Sequence, residues 1–221
     1  QYWNVYDAYN KSALKIDLPE AIIETEKILT SAFQYRMVSD VPVGVFLSGG
    51  YDSSCVTALL QKNRIEKIKT FTIGFTDDGL NEAPFAKEIA DHLGTDHTEY
   101  YCTEKEALEI IPQLSFYYDE PFADPSAVPT TLVSRIAREK VTVALSADAG
   151  DEIFAGYNSY DFMVKYSNRF NKIPGIVRNA AASLMSTVSP SKIPGFNKKY
   201  LYEDKYKKAI SLLKDPSALN M

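Results

Sequence analysis

Residues 41–54 read VPVGVFLSGGYDSS, and this stretch decides the fold of the chain. Its first part, residues 41–47, is a short and nearly all-apolar run, which is typical of a strand buried on both faces of a parallel sheet. Two glycines end the run, and Asp52 or Ser53 is then placed to cap a helix that reaches about Lys62. The stretch therefore predicts a strand, a tight turn and a helix, which together are a building unit of α/β folds.

The same alternation continues along the chain. A helix with Pro19 in its first turn precedes the stretch, and Gly94 is placed to end a later helix. The remaining strand-like runs cover residues 69–75, 97–102 and 141–146, and the remaining helical patterns cover 81–93, 104–116 and 130–140. Strands alternating with helices of this length predict a doubly wound α/β layer with right-handed crossovers.

The strand pattern stops after Tyr157. We therefore expect one α/β domain over residues 1–160 and a helical C-terminal part over residues 161–221, which we expect to be truncated. Residues 159–221 carry 11 Lys and Arg against 4 Asp and Glu, although the whole chain has a net charge of −5. These basic residues are dispersed through a helical pattern rather than clustered, so we predict a solvated helical face and no nucleic-acid binding.

Composition places the chain among soluble globular proteins, because 45% of its 221 residues are hydrophobic and 24% are charged. No apolar run approaches the roughly 20 residues that cross a bilayer, so no membrane segment is predicted. Cys55 and Cys102 are too few for a disulfide framework or a metal knuckle. We predict that both are reduced core residues of a cytoplasmic protein.

Residues 48–54, called here the glycine loop, are predicted to bind a phosphate or a pyrophosphate. The strand delivers them to the carboxyl edge of the sheet, where α/β folds bind ligands. Gly49 and Gly50 allow a sharp turn in which backbone N–H groups converge, and the positive end of the helix dipole lies at the same point. Ser53 and Ser54 add hydroxyl donors. No Walker A lysine follows, so no lysine reaches a γ-phosphate.

Asp52 is an unusual residue in an anion-binding loop. A carboxylate at this position calls for a cation between it and the phosphates, and Mg²⁺ is the natural candidate. The alternative is that the glycines only form a tight turn and that Asp52 only caps the helix.

Residues 41–54 closely resemble the pyrophosphate loop of the asparagine synthetases, in the N-type ATP pyrophosphatase superfamily. The Ser-Gly-Gly-x-Asp-Ser core is common to the superfamily, whereas residues 40–44 and the pair Tyr2 and Trp3 are more specific to the family. The resemblance runs from residue 2 to about residue 160. It implies a doubly wound, mostly parallel five-stranded sheet with helices on both faces, of the adenine nucleotide alpha hydrolase-like type, followed by a helical C-terminal extension.

The resemblance also implies an ATP site built from several strand ends. Leu47 would supply an apolar wall, and Ile73 and Gly74 would offer backbone contacts to adenine, although both also fit a role as core strand residues. The full set of implied nucleotide-binding residues is Leu47, Ser48, Gly49, Gly50, Asp52, Ser53, Ser54, Ile73, Gly74, Ser146 and Ala147.

Residues 146–157 read SADAGDEIFAGY and look like the second signature of the family. Asp151 stands where the family has a Mg²⁺ ligand, and it would face Asp52 across the pyrophosphate. Asp148 and Glu152 are the implied catalytic residues. Ala147 replaces the usual Gly, and Asp148 replaces the usual Glu, which leaves the identity of the acid substrate open.

Residues 119–126 read DEPFADPS and place three carboxylates within six positions. Carboxylates so close repel one another unless a cation or a basic ligand neutralises them. The family has a similar acidic segment beside its synthetase site. Asp119, Glu120 and Asp124 are therefore expected to bind the amino group of a substrate or to hold Mg²⁺, and a solvated acidic loop is the alternative.

The reaction implied by the resemblance is ATP-dependent amidation of a carboxylate through an acyl-adenylate, with release of AMP and pyrophosphate. Asparagine synthesis from aspartate is the first expectation. One alternative is an amidotransferase acting on another acid, such as a sugar uronate in surface polysaccharide synthesis. A second alternative is a degenerate ATP-binding module without catalysis.

Family members receive ammonia from a glutaminase domain, which is the partner expected in the full-length protein. The family's catalytic lysine lies C-terminal to the second signature, and its motif is not found before Met221. We therefore expect the chain to be a piece of a longer protein that binds ATP weakly and makes little amide by itself. Its oligomeric state is left open, with a homodimer as one alternative.

Overall fold

A computed structural model describes residues 2–62, 64–76, 81–157, 160, 171–188 and 202–215. The chain divides into two compact units, Gln1–Asp148 and Ala149–Met221, each with its own elements. The domain boundary that the strand pattern predicts near residue 160 stays a prediction.

The first unit is built on a parallel sheet with the strand order β3-β2-β1-β4. The strands are β1 Val43–Phe46, β2 Lys69–Phe75, β3 Asp96–Cys102 and β4 Val143–Leu145. All pairings are parallel, which confirms the predicted α/β class. The five-stranded expectation is wrong, because the sheet has four strands in the part of the chain that the structure describes. Only four segments carry a strand pattern, and the fifth strand came from the resemblance alone.

Helices precede β1 and fill the segments between the strands. In the first unit they are α1 Val5–Tyr9, α2 Leu18–Arg36, α3 Tyr51–Gln61, α4 Ala83–Leu93, α5 Glu104–Ile110, a 3₁₀ turn over Ile111–Gln113, α6 Leu114–Tyr117 and α7 Ala127–Arg138. The helix predicted over 104–116 is thus divided into three, with Pro112 in the 3₁₀ turn because proline cannot donate an N–H bond inside a helix.

The second unit is helical over its described residues. Its helices are α8 Gly150–Phe154, α9 Gly175–Thr187 and α10 Tyr202–Lys214. Within the ranges that the structure describes, no helix of either unit combines the length and the apolar character of a membrane span.

Helices cover both faces of the sheet, because successive side chains of a strand point to opposite faces. Val45 of β1 is fully buried and packs with Val56 and Leu60 of α3. Its neighbour Phe46 packs on the other face, in a cluster that contains Val133 and Ala137 of α7. The prediction of helices on both faces is confirmed.

The two cysteines differ in their surroundings. Cys102, the last residue of β3, is buried, as predicted for a core residue. The same prediction was wrong for Cys55, which is exposed on α3. The buried face of α3 is formed by other positions, among them Val56 and Leu60. Cys55 points away from this face and therefore lies outside the core.

Helix α4 ends at Gly94, as the sequence predicts. Gly94 has φ of +72° in the left-handed region, and its N–H bonds to the carbonyl of Ala90. A Cβ added at Gly94 would meet no atom within 4 Å. A substitution here therefore tests backbone strain without any steric clash.

We expect Gly94→Ala to lower the free energy of unfolding by about 1 kcal/mol, because an L side chain is strained in the left-handed region. Gly94→Asn should cost roughly half as much, since Asn tolerates this conformation better. Urea denaturation of the three proteins measures both values. An alanine variant as stable as the unmodified protein would contradict the left-handed cap.

Candidate functional site

The glycine loop leaves the carboxyl end of β1, a central strand that pairs with both β2 and β4. Helix α3 begins within the glycine loop at Tyr51, so residues 51–54 form its first turn, and Gly50 is the N-cap residue. The prediction that Asp52 or Ser53 caps the helix is wrong, because both lie in its first turn and Gly50 is the last extended residue. Among the residues that the structure describes, no side chain caps α3. Its first N–H groups, which have no partner within a helix, are therefore available at the loop.

Hydrogen bonds within the loop hold its shape. The Ser48 N–H donates to Ser53 Oγ at 3.2 Å, and the two hydroxyls lie 3.0 Å apart. The Gly50 N–H donates to Ser48 Oγ at 3.2 Å. The hydroxyls of Ser53 and Ser54 donate to the Gly50 carbonyl at 3.3 and 2.6 Å. These two hydroxyls, predicted as donors to an anion, are thus engaged inside the loop, and the backbone N–H groups are its remaining donors.

Gly49 is the residue that makes this loop shape achievable. Its φ is +87°, in the left-handed region. A Cβ at Gly49 would lie 2.9 Å from the backbone nitrogen of Ala86 and 3.0 Å from Cβ of Phe85, both on α4. At Gly50 the nearest atom to an added Cβ would be Ser48 Oγ at 3.3 Å, and φ is −71°. Only the first glycine is therefore required by both conformation and space.

Asp52 lies half-buried in the first turn of α3. A carboxylate in this turn interacts favourably with the positive end of the helix dipole. One turn along, partial burial raises the pKa of the thiol of Cys55, although the residue as a whole is exposed, and the nearby charges of Asp52 and Glu26 raise it further. The thiol therefore stays protonated at neutral pH and is a poor nucleophile.

Ser146, Ala147 and Asp148 follow β4, and Val45 and Leu145 are paired across β1 and β4. These three predicted site residues therefore leave the sheet beside the glycine loop. Ala147 packs against the core cluster around Val45, whereas Ser146 and Asp148 are exposed.

The predicted adenine-contacting residues lie at the carboxyl end of β2. Ile73 is half-buried and packs in two core clusters, with Phe71 and with Cys102. A Cβ at Gly74 would lie 2.7 Å from the ring of Tyr101 and 2.9 Å from Cβ of Ala83. Both residues thus have packing roles, and their contact with adenine stays a prediction.

The acidic segment reaches the same edge of the sheet. It leads into α7, and Val128 near the start of that helix packs in a cluster with Phe75 and Cys102, the last residues of β2 and β3. The start of α7, into which the acidic segment leads, therefore lies at the carboxyl edge of the sheet.

The carboxylates of this segment differ in their engagement. The Asp124 carboxylate accepts the Ser126 N–H at 2.8 Å, and this bond holds the pKa of Asp124 below its usual value. Tyr118 and Phe122 stack with ring centroids 4.6 Å apart and line a cavity of about 370 Å³ together with Asp119 and Glu120. Asp124 thus fixes the start of α7, and Glu120 faces a cavity.

Asp151 and Glu152 belong to the second unit, in helix α8. Asp151 is half-buried, and a Cβ on Gly156 would overlap its carboxylate. The Tyr157 hydroxyl donates to Glu152 at 2.7 Å, which lowers the pKa of Glu152 and raises the pKa of Tyr157 to about 12. Glu152 is therefore ionised at neutral pH. The pairing of Asp151 with Asp52 stays a prediction.

The sequence alone does not predict two further contacts. Tyr157 ends the second signature, and its hydroxyl donates to Glu152. Thr72 belongs to the strand pattern of β2, and its hydroxyl donates to the carbonyl of Leu47, the residue before the glycine loop. A polar residue within a buried strand was the available signal.

Across the described ranges, no three His, Cys, Asp or Glu side chains gather as a complete metal site. Mg²⁺ at nucleotide sites is commonly held by one or two carboxylates together with substrate phosphates and water, so such a site needs no cluster. Asp52, beside the open N–H groups of α3, fits that arrangement.

The sequence profile of the asparagine synthase family matches residues 24–220. A Methanocaldococcus jannaschii protein provisionally named glutamine-hydrolyzing asparagine synthetase 2 is 44% identical over 163 residues, covering 72% of this chain and 30% of that protein. Glutamine-hydrolyzing asparagine synthetase 1 of Bacillus subtilis is 35% identical over 158 residues, covering 72% of this chain and 25% of that protein. The matches therefore span less than a third of the length of these relatives.

Among solved structures, an NH₃-dependent NAD synthetase from Campylobacter jejuni aligns with a TM-score of 0.40 and 14% identity, over 89% of this chain and 98% of that one. A TM-score of this size supports no inference about fold or function.

The two loop glycines give a matched test of the loop conformation. We expect Gly49→Ala to lower the free energy of unfolding by about 2 kcal/mol or more, because strain and a backbone clash add. Gly50→Ala should cost less than about 1 kcal/mol, since its φ suits any residue. Thermal and urea denaturation measure both values, and equal losses for the two variants would contradict the loop geometry.

Proposed function

The chain belongs to the asparagine synthase family, and from this premise we propose that it binds ATP and activates a carboxylate for amidation. Asparagine formation from aspartate is the first candidate reaction, supported by the names of the two relatives. In the proposed reaction the substrate carboxylate attacks the α-phosphorus of ATP, which gives an acyl-adenylate and expels pyrophosphate. Ammonia then displaces AMP and forms the amide.

The preformed glycine loop is the observation that carries the proposal. Gly49 fits against α4 in a left-handed conformation, and no side chain of the described ranges caps the N–H groups of the first turn of α3. N–H groups that converge at a helix N-terminus bind anions. We propose that they bind the pyrophosphate of ATP and stabilise its charge as it leaves.

The other predicted site residues have distinct proposed roles. Leu47, Ile73 and Gly74 would contact the adenosine, and Ser146 and Ala147 would line the nucleotide. Asp52 and Asp151 are the proposed ligands of Mg²⁺, which when bound neutralises phosphate charge. Asp148 and Glu152 are the proposed catalytic residues.

The acid substrate is proposed to lie beside residues 119–126. The carboxylate of Asp124 accepts the Ser126 N–H, whereas Glu120 lines the same cavity as the stacked rings of Tyr118 and Phe122. Of the three acids of this segment, Asp119 and Glu120 line the cavity and are therefore the better candidates for an ionic contact with a substrate ammonium group, whereas Asp124 is the better candidate for shaping the segment.

Ammonia is proposed to come from glutamine through a glutaminase domain of the full-length protein. The names of both relatives describe glutamine hydrolysis, which supports this partner.

Asp52 has a matched control in Asp91, which is exposed near the C-terminal end of α4, the end that leads into the start of β3. We expect Asp52→Asn to weaken binding of ATP with Mg²⁺ by about tenfold, because a charge-assisted contact is lost. Asp91→Asn should leave the affinity unchanged. Calorimetry at saturating Mg²⁺ measures both, and equal affinities for the two variants would remove Asp52 from the site.

The identity of the acid can be tested with the full-length protein by ATP–pyrophosphate exchange. We expect aspartate to support exchange most strongly. Exchange with a sugar uronate and not with aspartate would favour the alternative amidotransferase, to which the shorter Asp148 points. ATP binding without exchange for any acid would favour a binding module without catalysis.

A further inference from the structure

A single peptide unit, Leu47–Ser48, joins β1 to the glycine loop. The backbone ladder between β1 and β2 extends to the Leu47 N–H, which donates to the Phe71 carbonyl at 2.9 Å. The Leu47 carbonyl accepts a bond from a side chain, the hydroxyl of Thr72. The chain therefore leaves the sheet at this carbonyl, and a side chain of the neighbouring strand completes its hydrogen bonding.

Burial makes this bond necessary. Leu47 is 1% exposed and Thr72 is 4% exposed, so solvent does not replace the hydroxyl easily. Phe46 and Phe71 are register partners, which places Thr72 beside Leu47 across the two strands. A buried carbonyl that loses its donor is unfavourable, and the peptide is then free to rotate towards another partner.

The other end of the same peptide unit is also held by a hydroxyl. The Ser48 N–H donates to Oγ of Ser53, which is 7% exposed in the first turn of α3. Because the peptide unit is planar, its carbonyl and its N–H turn together. Hydroxyls from β2 and from α3 thus fix one peptide plane at both ends.

We propose that Thr72 is a positioning residue for the pyrophosphate site, which it serves by fixing the Leu47–Ser48 peptide through the Leu47 carbonyl. This role rests on the proposed ATP site of the glycine loop. The peptide plane sets the position of Ser48, whose Oγ accepts the Gly50 N–H. A loop held in its binding shape before ATP arrives has less conformational freedom to lose on binding.

Thr70 provides a matched control for Thr72. Both are threonines of β2 two residues apart, hence on one face, and Thr70 is fully buried. The Thr70 hydroxyl is within 2.9 Å of Thr95 Oγ1 and of His97 Nδ1, towards the opposite edge of the sheet. Valine at either position removes one buried hydroxyl and nearly conserves the side-chain shape.

We expect Thr72→Val to weaken ATP·Mg²⁺ binding about tenfold and Thr70→Val by less than about twofold. Thr72→Ser, which keeps the hydroxyl, should restore affinity to within about threefold. Calorimetry on the full chain gives the affinities, and thermal denaturation shows whether the two valine variants lose similar stability. Equal affinities for Thr72→Val and Thr70→Val would overturn the role, as would a serine variant that binds no better than the valine variant.

We call the two hydroxyl bonds that hold the Leu47–Ser48 peptide, from Thr72 and from Ser53, the clamp. Amide hydrogen exchange without ATP tests this clamp directly. In the unmodified chain the Ser48 N–H should exchange at least about tenfold more slowly than the Gly49 N–H, and Thr72→Val should abolish much of that difference. Equal exchange of the two amides in the unmodified chain would overturn the clamp even if no valine variant folds. A clamp seen by exchange in a chain that does not bind ATP would instead overturn the ATP site and, with it, the role of Thr72.

Discussion

The close contact between Gly49 and helix α4 is the constraint on which the site depends. With φ of +87°, Gly49 lies so near the backbone of Ala86 that no side chain fits between them. Small residues of α4 permit this approach, because Ala83, Ala86 and Ala90 are all buried on the side facing the sheet. Leu47 packs against two of these alanines, Ala86 and Ala90, so one helix supports the strand end and the loop together.

The loop's internal hydrogen bonds determine what it can offer a ligand. Its serine hydroxyls bond to one another and to the Gly50 carbonyl, so they maintain the turn. The donors that remain are backbone N–H groups, whose direction is fixed by the turn. Pyrophosphate recognition at such a site depends on backbone conformation more than on side-chain chemistry. This dependence explains why the loop position least tolerant of substitution is a glycine, Gly49.

Local patterns in the sequence predicted much of the fold. Short-range periodicity predicts the strands and the placement of helices on both faces of the sheet. The conformational freedom of glycine predicts the cap at Gly94. The fifth strand had no such pattern and was wrong. The capping role of Asp52 was wrong because the helix begins one residue before it, and boundaries depend on backbone angles that periodicity does not give.

Those features of the site that depend on tertiary contacts could not be predicted from the sequence. The bond from Thr72 to Leu47 follows from strand register, and the different engagement of Asp124 and Glu120 follows from the turn before α7. The roles of Asp151 and Glu152 depend on how a nucleotide is bound, and they stay predictions.

An NMR titration with Mg²⁺ and inorganic pyrophosphate tests the central claim most directly, because it needs no acid, no ammonia and no turnover. We predict that the amide signals of residues 49–53 shift most and in a saturable way, with smaller changes at the far edge of the sheet around Asp96. Saturable shifts confined to other parts of the chain, or no shifts at all at millimolar pyrophosphate, would contradict the glycine loop as the pyrophosphate site.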